Sequence, residues 1–103
     1  EGDMVSQQYP TKEIGNIDLL VKEKKSGIYV VIELKKGQTN DDTVGQLTRY
    51  MGWVKKCKAN GGKVKGIVIA GSYDQRLKYA LEMVPETESL IYRINFSLEK
   101  PKE

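Results

Sequence analysis

The chain has 103 residues, 39% of them apolar and 30% charged, with a net charge of +3. That suits one soluble globular domain with a single small core, argues against disorder, and permits an anionic partner without demanding one. With no histidine and one cysteine, Cys57, the sequence excludes a histidine-based triad and a structural zinc site within this chain, so any metal would be held by oxygen ligands. No apolar run approaches the ~20 residues that span a bilayer, nothing at the start resembles a signal peptide, and the unpaired cysteine fits a reduced, cytoplasmic setting. The opening Glu1-Gly2-Asp3 carries no initiator methionine and reads as the start of a fragment whose upstream part is missing.

Met4–Lys12 reads as a short strand or extended lead-in, and Pro10 places it at a sheet edge. Gly15-Asn16 turns the chain into a second strand, Ile17–Lys24. Lys25-Ser26-Gly27 is a tight connection into the stretch Gly27–Lys36, whose Ile28–Ile32 and Leu34 are β-branched, aromatic or aliphatic, so these two strands form an antiparallel hairpin. Apolar residues fill both alternating faces of that third strand, the pattern of a strand covered on both sides. Gly37–Asn40 is a loop, and Asp41 or Asp42 caps the helix that follows. Val44, Leu47, Met51 and Val54 recur at helical spacing until Asn60-Gly61-Gly62 stops the pattern near Lys58. Lys65–Ala70 is a short buried strand, and the long helical crossover before it implies parallel pairing. A second helix spans about Asp74–Val84 and ends at Pro85; Leu90–Leu98 alternates as a closing strand, and Glu99–Glu103 is a polar tail. The order is β-β-β-α-β-α-β, an α/β fold with a mixed β-sheet flanked by helices in a single domain over residues 1–103.

The third strand ends anomalously. Glu33 and Lys35, two apart, share one face of an otherwise apolar strand. Ionised groups there cost free energy unless they are paired, metal-bound or solvated in a cleft. Counting back across the hairpin brings Asp18, flanked by Ile17, Leu19 and Leu20, close to Lys35 or Glu33. Two carboxylates with an open mouth suit Mg²⁺ or Mn²⁺, which take a few carboxylates plus waters and phosphate oxygens. A lysine beside the ion can orient an attacking water and offset charge on a phosphate. The plain alternative is an ion-pair cluster at a sheet edge. Gln46 and Tyr50, four apart on the first helix, share a face beside its apolar stripe and so point towards the sheet. Singly, each is an ordinary boundary or core residue; beside Asp18, Glu33 and Lys35 they make the plain account depend on several coincidences.

Asp18, then fourteen residues, then Glu33-Leu34-Lys35, then Gln46-x-x-x-Tyr50 resembles the PD-(D/E)xK nuclease superfamily. The stretches I-D-L-L, V-V-I-E-L-K-K-G and V-G-Q-L-T-R-Y-M-G-W are most similar to the NucS-type (EndoMS) endonuclease C-terminal catalytic domain. The resemblance implies a restriction-endonuclease-like fold and Mg²⁺- or Mn²⁺-dependent hydrolysis of DNA phosphodiesters. It implies that Asp18 and Glu33 bind the ion with the Leu34 carbonyl, that Lys35 positions the water, and that Gln46 and Tyr50 support the site. Family members usually carry a further glutamate on a helix before the first strand, and an N-terminal dimerisation and DNA-binding domain. Neither is present in this sequence, so the expectation is a fragment, with a homodimer or a missing N-terminal domain as partner beside DNA. A non-catalytic nucleic-acid-binding or assembly module that retains the fold is the alternative, and RNA the alternative substrate.

Lys55, Lys56, Lys58, Lys63 and Lys65 fall within eleven residues that contain no acid. With Lys36 they form a candidate phosphate-contacting surface, set against the ordinary reading of lysines at a helix end. Arg49 and Trp53 fall on the more exposed side of the first helix as candidate contacts to a partner. Cys57 reads as a buried small apolar group, since no base is available to make it a nucleophile.

Overall fold

The computed structural model describes residues 2–11, 14–36, 39, 41–72, 74–95 and 97–101, leaving aside the side chains of residues 2–8 and 41. Its elements are β1 (Gly2–Pro10), β2 (Asn16–Glu23), β3 (Tyr29–Lys35), α1 (Asp41–Cys57), β4 (Val64–Ala70), α2 (Gln75–Glu82) and β5 (Thr87–Ile91). The strands lie in chain order in one sheet. β1, β2 and β3 are antiparallel neighbours, as the tight Lys25–Gly27 connection requires, whereas β4 and β5 are added in parallel across helical crossovers. β1 sits at the edge expected of a strand that ends in proline.

α1 packs on β3 and β4, α2 packs on β5, and the two helices touch. Leu47 and Val54 of α1, Leu77 and Leu81 of α2, and Leu20, Val31 and Val68 of the sheet share one buried cluster. Gly66 lets α1 sit this close. A Cβ there would lie 2.5 Å from Met51 Sδ and 3.2 Å from the Leu47 methyls.

Five expectations need correction. Among the described residues the helices lie on one side of the sheet, and on the other side Val30 is buried, Ile32 is half-buried and Leu34 is 46% exposed. The closing strand is Thr87–Ile91, not Leu90–Leu98. It starts early because the Gly66 N–H donates to Glu86 O at 2.9 Å, and it stops where β4 stops, at the Tyr92 N–H to Ala70 O bond of 3.0 Å. α1 begins at Asp41, so Asp42 lies inside its first turn and not at the cap; residue 40, like residues 37 and 38 of the expected loop, lies outside the described residues. Cys57 is exposed, not buried as a small apolar group. α2 starts at Gln75, and Asp74, expected inside it, is its cap, accepting from the N–H groups of Arg76 and Leu77. Among the described residues no helix is long and apolar enough to cross a membrane.

Candidate active site

The site forms where β2 and β3 separate. Their pairing is regular from Lys22↔Tyr29 to Leu19↔Ile32 and goes no further, although both strands continue. Beyond it the Asp18 side chain replaces main chain, its Oδ2 accepting the Leu34 N–H at 3.0 Å. The hairpin count had left Asp18 beside either Lys35 or Glu33. Continuing the register by one residue sets it opposite Glu33, on the side that also carries Lys35.

Glu33 is 2% exposed, and its Oε1 is a buried oxygen without a hydrogen-bond partner. Burial pushes its carboxyl up to about 7, the nearby Asp18 charge pushes the same way, and Lys35 offsets only part of this. The Lys35 Nζ stands 3.7 Å from Glu33 Oε2, longer than a good hydrogen bond, and donates instead to Gln46 Oε1 at 3.2 Å. An ion-pair cluster would have satisfied the glutamate. Here a buried carboxylate keeps one oxygen unpartnered beside a second carboxylate, which is the donor set a hard divalent cation needs. No group of three or more Asp, Glu, His or Cys side chains gathers among the described residues. Among the described residues the candidate ligands are Asp18, Glu33 and main-chain oxygen, a set that would suit Mg²⁺ or Mn²⁺ completed by water and phosphate.

Tyr50 is buried, and its hydroxyl abuts the β1–β2 turn. A Cβ on Gly15 would lie 2.9 Å from Tyr50 Oη, and Gly15 has φ +106°. The turn is closed by Thr11, whose hydroxyl donates to Gly15 O at 2.7 Å and accepts the Ile14 N–H at 2.9 Å. Tyr50 thus props the segment that leads into Asp18. Thr39, buried after β3, donates through Oγ1 to Asp74 Oδ2 at 2.6 Å. Thirty-five residues separate the two. No periodicity or spacing in the sequence points to that contact.

The proposed phosphate-contacting lysines are not brought together. Lys36 is exposed just past β3, and Lys55 and Lys56 are exposed in the last turn of α1, about 14 Å along the helix from Gln46. Lys63 pairs with Glu86 at 3.5 Å and Lys65 with Glu23 at 3.3 Å, at the end of β4 away from the site. Arg49 is exposed, but Trp53 is half-buried, edge-on to Tyr9 with ring centroids 6.1 Å apart.

The profile of the endonuclease NucS C-terminal domain matches residues 2–102. The chain belongs to that family. A repair endonuclease from Pyrococcus abyssi superposes on this NucS-type domain with a TM-score of 0.75 at 27% identity, over 88% of this chain and 38% of that one. The EndoMS chain of a complex with double-stranded DNA superposes with a TM-score of 0.73 at 25% identity, over 99% of this chain and 38% of its own. The NucS-type domain described here thus spans under two fifths of the length of either relative. A search of curated proteins returns no match.

Proposed function

We propose that the chain is the catalytic domain of a DNA endonuclease that hydrolyses phosphodiesters with Mg²⁺ or Mn²⁺ at Asp18 and Glu33. The observation that carries this is the unpartnered, buried Glu33 Oε1 beside Asp18, next to the Lys35 ammonium that Gln46 holds by one hydrogen bond. Membership of a NucS family and likeness to a protein solved on double-stranded DNA support DNA as the substrate.

The Leu34 N–H fixes the Asp18 carboxylate, and burial fixes Glu33, so both present oxygens without reorganising when an ion arrives. The Leu34 carbonyl would add a main-chain ligand. When bound, the ion supplies positive charge to the scissile phosphate and lowers the pKa of a water. Gln46 holds the Lys35 ammonium towards the carboxylates, where it orients the attacking water and offsets charge growing on the phosphate. Tyr50 keeps the strand carrying Asp18 in place from behind.

Nicking of supercoiled DNA with Mn²⁺ tests the reading. The expected result is cleavage that EDTA stops and that Lys35→Ala lowers about a hundredfold or more. Cleavage that persists after chelation, or is unchanged in Lys35→Ala, contradicts it. Binding without cleavage, also in a longer chain carrying whatever precedes β1, favours the alternative of a non-catalytic nucleic-acid module.

A further inference from the structure

Asp74 does two things with two oxygens. Its Oδ1 accepts the Arg76 and Leu77 N–H groups at 3.0 and 3.4 Å, which is all that an N-cap requires. Its Oδ2 is left over, and takes the Thr39 hydroxyl at 2.6 Å. This short charge-assisted bond, which together with the cap holds the Asp74 carboxyl below its usual range, ties two loops. One follows β3 and the other follows β4, so the clasp closes the carboxyl ends of the two parallel strands, Lys35 and Ala70 being register partners. Open α/β sheets do their chemistry at that end. Thr39 stands four residues after Lys35 and two before α1, and α1 carries Gln46 onto Lys35. The clasp therefore anchors the connection between the two partners of the 3.2 Å Lys35–Gln46 bond.

We propose that Thr39 and Asp74 are positioning residues for the candidate site: their half-buried bond sets where α1 begins and so holds Gln46 on the Lys35 ammonium. The inference rests on the nuclease reading above. Its distinctive consequence is that Thr39 acts through Gln46, whereas a merely structural threonine would lower stability and leave turnover by the folded protein unchanged.

The test is a double-mutant cycle on DNA cleavage at saturating Mn²⁺, at a temperature where melts show every variant folded. Thr39→Val keeps the shape and the α2 cap but removes the donor. It is expected to lower kcat about tenfold with KM unchanged, and Thr39→Ser to restore it within about twofold. In a Gln46→Ala background, Thr39→Val is expected to cost less than about twofold, because the contact it serves is already gone. Should Thr39→Val fail to fold, Asp74→Ser retains a capping oxygen, withdraws the clasp and is read in the same way. An unchanged kcat, or the same loss in the Gln46→Ala background, overturns the inference and leaves the nuclease reading standing. Failure to cleave with the metal, both in the parent chain and in a longer one, overturns both.

Discussion

Glu33 is an expensive residue to bury, and the expense sets a pH dependence. Its carboxyl ordinarily titrates near 4.5 and in the fold near 7, so over that interval the folded chain retains a proton that the unfolded chain has released. The stability this residue contributes is therefore complete below about 4.5 and is lost as pH rises through about 7, becoming flat above. In EDTA, Glu33→Gln is expected to melt above the parent at pH 8 and to converge on it near pH 4.5, while cleavage is abolished. Melting-temperature differences that do not change with pH would contradict that. Asp18, Glu33, Lys35 and Gln46 were legible in the sequence because strand alternation and helical spacing fix which side chains share a face. Which of Lys35 and Glu33 faces Asp18 was not legible, since it depends on where β2 leaves β3. Thr39 and Asp74 were invisible for a related reason: their pairing exists only once the β3–α1–β4 crossover has folded. Cys57 was misread because the apolar character of a lone residue does not fix which way it faces.

At the scale of elements, β2 owes its position to a turn with little tolerance. Gly15 holds φ +106° with Tyr50 Oη in its path. Gly15→Ala is expected to destabilise the fold by about 1–3 kcal/mol through backbone strain and displacement of the tyrosine. Urea unfolding measures it, and a change below ~0.5 kcal/mol would mean the turn relaxes freely. Asn16, one residue on, lies in β2 and serves as the control position. The helices and central strands read well from apolar spacing, and their bounds moved by only a few residues. The closing strand read poorly because Tyr92, Ile94 and Leu98 continue the alternation past the end of β4. Alternation marks a chain that can pair, but pairing requires a neighbour, and Ala70 is the last residue to provide one. The same limit explains β3: apolar residues on its second face are screened by adjacent side chains, without a covering layer of helices among the described residues.

Across the whole molecule, charge is less uniform than its total of +3 implies. Lys63 and Lys65 are engaged by Glu86 and Glu23, whereas Lys36, Lys55 and Lys56 are exposed along and beside α1. Replacing the second set by alanine is expected to weaken DNA binding and to reduce its salt slope by about one for each phosphate no longer neutralised; replacing Lys63 and Lys65 is expected to leave both nearly unchanged. Anisotropy titrations of a labelled duplex at several salt concentrations make the comparison, and equal effects from the two sets would contradict it. The relatives are more than twice as long as this chain, and on the reading proposed above the residues described here would carry the cleavage chemistry. That chemistry stands or falls on the ion. Anomalous scattering from crystals of the chain soaked in Mn²⁺ near pH 8 addresses it directly: the account predicts a peak between the Asp18 and Glu33 carboxylates that disappears in Glu33→Gln. Density only elsewhere, or a peak that survives the substitution, would contradict the assignment of these residues to a metal site.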